Sequence, residues 1–153
     1  MNKLLQAIIY ALVGIFIFIG DRITKLKALT LYHDHYEFNQ FLSFDLALNR
    51  GISWGWLHSN STTLFVLISL LIATITMVIA MVGLRHFLAG NTIMGELLVV
   101  VGSLSNLVDR WYYHGVIDFI ELSYKDYTWP VFNLADVCIV VGIFLMVTEY
   151  YKK

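Results

Sequence analysis

Four apolar runs set the rhythm of the chain: residues 4–20, 64–84, 93–108 and 131–148. Each is read as a membrane-spanning helix; the first two are free of charge, while the third carries Glu96 and the fourth Asp136 near its start. The first, Leu4 to Gly20, would be about 25 Å long at about 1.5 Å per residue, which is short but workable for a span. A cleaved signal peptide is its rival reading, with Lys3 as the basic flank. Asp21-Arg22-Ile23-Thr24-Lys25 follows instead of a small-residue cleavage pattern, so a retained span is expected. Ser61, Thr62 or Thr63 is placed to cap the second run, and Gly90-Asn91 to turn the chain into the third. The third carries Glu96 near its start and Gly102, Ser103, Ser105 and Asn106 near its end, small residues that let a neighbouring helix approach.

The segments between the runs differ from one another. Residues 30–60 hold His33, His35 and His58 with Asp34, Glu37 and Asp45. From Phe38 to Leu48 apolar and polar residues alternate loosely, and Asn49-Arg50-Gly51 supplies a turn. Short strands are expected there, with an interfacial helix near Ser53 to Leu57 whose Trp54 and Trp56 suit the headgroup belt. A polar loop is expected from Asp109 to Pro130. Four spans place the end of the first, the start of the second, the end of the third and the start of the fourth on one side. Asp21, Lys25, Asn49, Gly51, Asn106, Asp109, Arg110, Asp118, Asn133 and Asp136 therefore collect at one face, as in a site built into a helix bundle.

Composition narrows the class. The chain has 153 residues, 59% of them apolar and 14% charged, where a soluble domain is nearer half and a quarter. A net charge of −1 gives no basic face for nucleic acid. One cysteine, Cys138, leaves no intrachain disulfide and no multi-cysteine metal site. Pro130 is the one proline and no linker-like tract appears, so residues 1–153 are expected to form a single membrane-embedded domain. Charge does not orient it: Lys3, Arg85, Lys152 and Lys153 lie opposite the polar cluster, while Arg22, Lys25, Lys27, Arg50, Arg110 and Lys125 lie with it.

Asp118 and Asp136 carry the candidate chemistry. Asp118 sits in the apolar Gly115-Val116-Ile117-Asp118-Phe119-Ile120, and Asp136 a turn inside the fourth run. Two neighbouring carboxylates cannot both ionise easily, so one can act as base on a water while the other, protonated, hydrogen-bonds a scissile carbonyl. The plainer alternative has Asp136 capping a helix and Asp118 in solvent. A further alternative is a small proton-coupled transporter using both as a relay, although no halves repeat and no matching acidic set lies at the opposite face. Asp109 and Arg110 suit salt bridges to each other or to neighbouring loops. Asn133 suits either a cap or the orientation of a carboxylate, Asp21 and Lys25 an i,i+4 pair, Gly51 a tight turn and Glu96 a bond to a neighbouring helix end. His33-Asp34-His35 lacks a third ligand nearby, and nothing in the pattern calls for a metal or other cofactor.

The motifs together resemble the bacterial lipoprotein signal peptidases (signal peptidase II), membrane aspartic proteases. Asp21-Arg22-Ile23-Thr24-Lys25 resembles their D-x-x-T-K, and Asn49-Arg50-Gly51 with Trp54-Gly55 their N-x-G-x-x-[FW]-G. Gly102 to Arg110 resembles G-x-x-x-N-x-x-D-R, Gly115 to Phe119 resembles G-x-V-x-D-F with Ile117, and Phe132 to Asp136 is F-N-x-A-D. Ser103 and Ser105 stand where Ala and Gly are commoner, and Ile52-Ser53 where Ala-Ala is usual. The resemblance implies four transmembrane helices, a small extracytoplasmic antiparallel β-cradle and a short amphipathic helix. It implies an endopeptidase that cuts diacylglyceryl-modified prolipoproteins just before the lipidated cysteine, with Asp118 and Asp136 as the catalytic dyad. Asp21, Lys25, Asn49, Gly51, Asn106, Asp109, Arg110 and Asn133 would bind substrate or support the dyad. It further implies the bacterial cytoplasmic membrane, cytoplasmic termini, a site facing the periplasm or outer leaflet, and membrane lipids as neighbours.

Overall fold

Helix α1 runs Lys3–Leu31, far beyond the point where the first apolar run meets Asp21. The charges after Gly20 do not stop it, because Asp21 and Lys25 turn inward and pair rather than seek water. The computed structural model describes residues 2–31, 35–51 and 61–151. The expected interfacial helix near Ser53 to Leu57 and His33-Asp34 lie outside these.

After α1 come strands β1 (Tyr36–Asn39) and β2 (Leu42–Asn49), then helices α2 (Thr62–Leu88) and α3 (Met94–Tyr113), strands β3 (Val116–Tyr124) and β4 (Tyr127–Thr128), and helix α4 (Leu134–Tyr150). Ser61 caps α2, its Oγ accepting from Leu64 N. The chain leaves α3 through His114 at φ 57° and enters β3 directly. The expected polar loop after Asp109 is therefore a last helical turn followed by two strands. Val116, Ile117, Asp118 and Phe119 are all buried, so β3 lacks the alternation that would have marked it as a strand.

The sheet is antiparallel in the order β1-β2-β3-β4. Ala47 lies opposite Asp118 and Asn49 opposite Val116, so Asn49 and Asp118 are diagonal neighbours on one face. Phe132 bridges to Ile120, its N–H donating to Ile120 O at 2.9 Å and its carbonyl accepting from Ile120 N at 2.8 Å. That bridge delivers the start of α4 to the side of β3. Ala28 of α1 and Ile117 and Phe119 of β3 form the core that ties sheet to bundle.

Helix α3 packs against each of the other three helices. Against α4 the approach is close enough to exclude side chains: a Cβ on Gly142 would lie 2.7 Å from Gly95 O, and one on Gly102 2.6 Å from Ala135 O. At the end of α2 Glu96 of α3 is buried, with Oε1 2.6 Å from His86 Nδ1. Among the described residues two helices, α1 and α2, are long and apolar enough to cross a membrane, with mean hydropathies of 2.1 and 2.8 over their most apolar stretches. Their outward faces are lined by residues such as Phe16, Leu67, Leu71 and Met77, all exposed. A surface of that composition is suited to hydrocarbon rather than water.

Candidate active site

The ten residues that the sequence collects at one face, nine polar ones and Gly51, lie in or against one end of the bundle. Asp118 comes from β3, Asp136 from the first turn of α4, and Asn133 from the N-cap of α4. Asn49 ends β2 and Gly51 follows it; Asn106, Asp109 and Arg110 come from α3, Asp21 and Lys25 from α1. Asp118 and Asp136 line one cavity of about 630 Å³ together with Asn49, Asn106 and Arg110. Its far wall is apolar, formed by Ile72 of α2 and Val137, Val140 and Val141 of α4.

One residue touches both carboxylates. Asn133 Nδ2 donates to Asp118 Oδ1 at 2.6 Å, while its Oδ1 accepts from Asp136 N at 2.9 Å. Its own N–H donates to Asp136 Oδ2 at 3.2 Å, closing the capping box of α4. Asn133 is thus at once the cap and the orienter that the sequence left as alternatives. Two more amides complete the set. Asn49 Nδ2 donates to Asp118 Oδ2 at 3.1 Å, and Asn106 Nδ2 donates to Asp136 Oδ1 at 2.8 Å.

Each amide is held the right way round by a partner that can only donate. Gly51 N–H donates to Asn49 Oδ1 at 2.9 Å, Asp136 N–H to Asn133 Oδ1, and the Lys25 ammonium to Asn106 Oδ1 at 2.6 Å. With every amide oxygen so engaged, every NH₂ faces a carboxylate. Burial pushes the Asp118 carboxyl up to about 7, helped by the charge of Asp136 and opposed by the amides of Asn49 and Asn133 and by Lys25.

Behind the amides lies a buried charge cluster. Lys25 Nζ is 2.9 Å from Asp21 Oδ2 and 2.8 Å from Asp109 Oδ2, and Arg22 Nη2 is 2.6 Å from Asp109 Oδ1. Asp21 also accepts from Ser105 Oγ at 2.6 Å and from Ala135 N at 2.9 Å, which ties α1 to the start of α4. Asp109 and Arg110 do not pair with each other. Asp109 turns to Lys25 and Arg22, whereas Arg110 donates to the Gly51 carbonyl and lies over the Phe65 ring, 5.5 Å from its centroid.

A family model described as Signal peptidase (SPase) II matches residues 13–152. The chain belongs to the signal peptidase II family. Among relatives of this family member, a lipoprotein signal peptidase of Aquifex aeolicus is 33% identical over 145 residues, which cover 94% of this chain and 86% of the relative. One of Clostridium novyi is 38% identical, covering 88% of this chain and 92% of its own. Two solved structures, both titled as bacterial membrane enzymes determined by the in meso method, superpose with TM-scores of 0.75 and 0.73 at 27% and 28% identity. Each covers 94% of this chain, with 87% and 93% of its own length matched.

In this signal peptidase II family member, two neighbours of the candidate site, Arg22 and Ser105, are not singled out for it from sequence. In the sequence Arg22 reads as a charge on the polar side, and Ser105 as a small residue that stands where Ala or Gly is commoner in the family. The signal for Arg22 was its place one residue after Asp21 on a helix that continues. Ser105 lies one residue before Asn106, yet it reaches Asp21 on another helix, which no local pattern displays.

Proposed function

We propose that this chain removes signal peptides from diacylglyceryl-modified prolipoproteins, cutting just before the lipidated cysteine, with Asp118 and Asp136 activating a single water. The observation that carries the reading is the Asn133 side chain, which bonds Asp118 through its amide nitrogen and the first turn of Asp136 through its oxygen. Two carboxylates shared by one residue in one cavity can address the same water and the same carbonyl.

The roles divide by environment. Both carboxylates accept N–H donors at both oxygens, but Asp136 alone of the two stands in the first turn of a helix, α4, where the helix dipole favours a negative group; Asp118 lies in strand β3. Asp136 is the base. Asp118 keeps its proton to about pH 7 and is the acid that hydrogen-bonds the scissile carbonyl oxygen. Water loses a proton to Asp136 as its oxygen attacks the carbonyl carbon, giving a tetrahedral intermediate stabilised by the Asp118 proton. Asp136 returns its proton to the cysteine nitrogen as the C–N bond breaks. The products are a signal peptide with a new carboxylate and a lipoprotein with a free amino group.

All four helices span the bilayer in this reading, with the sheet and the dyad at its outer face and both termini in the cytoplasm. The apolar wall of Ile72, Val137, Val140 and Val141 supports a bed for the lipid chains between α2 and α4. Trp111, Tyr112, Tyr124, Tyr127 and Trp129 are half or more exposed around the site and suit the headgroup layer.

The test is cleavage by purified protein of a precursor peptide carrying diacylglyceryl-cysteine, beside the same peptide unmodified. Cleavage of the lipidated peptide alone, at the bond before the cysteine, is expected; cleavage of neither would end the reading. The acid role of Asp118 predicts a pH profile as well. Raised above its ordinary 3.8, this group holds its proton through mildly acidic pH and loses it near 7. The ratio kcat/KM should therefore fall as pH rises through about 7. A rate level to pH 9 would remove Asp118 as the acid.

A further inference from the structure

Lys25 is fully buried, and its ammonium has three hydrogens and three acceptors: Asp21 Oδ2, Asp109 Oδ2 and Asn106 Oδ1. The two carboxylates are enough to explain a buried charge. With Arg22 against Asp109, the cluster already holds two positive and two negative groups. The third contact, at 2.6 Å, goes to a neutral amide whose other end lies 2.8 Å from Asp136 Oδ1. An ammonium cannot accept. A flipped Asn106 would set NH₂ against NH₃⁺ on one side and an amide oxygen against a carboxylate on the other, two repulsive contacts in place of two short hydrogen bonds.

We propose that Lys25 is a positioning residue for the hydrolysis: it locks the Asn106 amide so that its NH₂ is always presented to Asp136, which keeps that carboxylate ready as the base. The amides of Asn49 and Asn133 are locked by backbone N–H groups, of Gly51 and Asp136, that no substitution deletes short of proline. Among the described residues Lys25 is the side chain that performs this task for the third. The inference rests on the roles given to the two aspartates above. Other charged groups act on Asp136 besides Lys25: Asp118 from β3, Asp21 from α1 and Arg110 from α3. None of them fixes an amide against it.

The experiment measures kcat, KM and the pH dependence of kcat on the lipidated precursor for Lys25→Met, Asn106→Leu and the double variant. Lys25→Met should lower kcat at least about tenfold with KM nearly unchanged. It should also move the acid limb of kcat to higher pH by about one unit. In the Asn106→Leu background the same change should move that limb clearly less, by the direct charge of Lys25 alone, because the amide through which it also acts is gone. Should Lys25→Met alone fail to fold, Lys25→Met with Asp109→Asn removes one charge of each sign and gives the same readout against Asp109→Asn. An unmoved acid limb, or an equal movement with and without Asn106, would overturn the proposal. Failure of the parent reading looks different, since the wild-type protein would then cut no lipidated precursor.

Discussion

Gly102→Val is expected to abolish the active enzyme by forcing α3 and α4 apart. A Cβ at this position would lie 2.6 Å from the Ala135 carbonyl oxygen and 2.9 Å from Ile139 Cγ1, and the first of these is backbone that no rotamer change moves. The same stretch of α4 carries the Ala135 N–H that donates to Asp21 and, one residue on, Asp136 itself. Relief of the clash therefore displaces the base from Asn106. The cost should exceed about 3 kcal/mol, the upper end for overpacking that a core can absorb. Thermal unfolding in detergent and the cleavage rate check this together, and a valine variant with wild-type stability and rate would show that the two helices have room to spare.

The four apolar runs were legible because long uncharged sequence is the strongest signal a membrane chain offers. What hydropathy could not show is that charge need not end a helix. The first run stops at Asp21 in the sequence, yet α1 continues through Asp21, Arg22 and Lys25 because Asp109, Ser105 and Asn106 on α3 take their charges and hydrogen bonds. Strand β3 was hidden for the opposite reason. It is buried on both faces at its start, so Val116 to Phe119 gives no period of two, and its many aromatic and polar neighbours suggested a loop. The Gly95–Gly142 contact was silent too, since it pairs residues on separate helices whose facing surfaces depend on the packing itself.

The site was more readable than the fold around it. Its residues recur at short spacings that place them on successive turns or at helix ends, as with Asn133 and Asp136, which the capping box joins. Their partners were less so. The sequence left Asp109 and Arg110 to pair with each other or with neighbouring loops; on α3 they diverge, Asp109 to the α1 cations and Arg110 to the Gly51 carbonyl. The direction of the Asn106 amide was invisible, being set by Lys25 from another helix, whereas those of Asn49 and Asn133 are set by backbone N–H groups two and three residues away.

The largest effect belongs to the two aspartates. Asn in place of Asp136 cannot take a proton from water, and Asn in place of Asp118 cannot supply an acidic proton to the carbonyl oxygen. General acid–base groups account for about 10²- to 10⁴-fold each, and groups acting as a unit lose most of their effect when either is removed. Neither change should unfold the protein. Asn at 136 retains an oxygen for the Asn133 N–H, and Asn at 118 retains one for Asn133 or Asn49. The decisive measurement is the rate at which purified, folded Asp118→Asn and Asp136→Asn cleave a diacylglyceryl-modified precursor beside the wild-type protein. Both rates should fall at least about a thousandfold with unfolding temperatures close to wild type; wild-type cleavage by either variant would contradict the dyad.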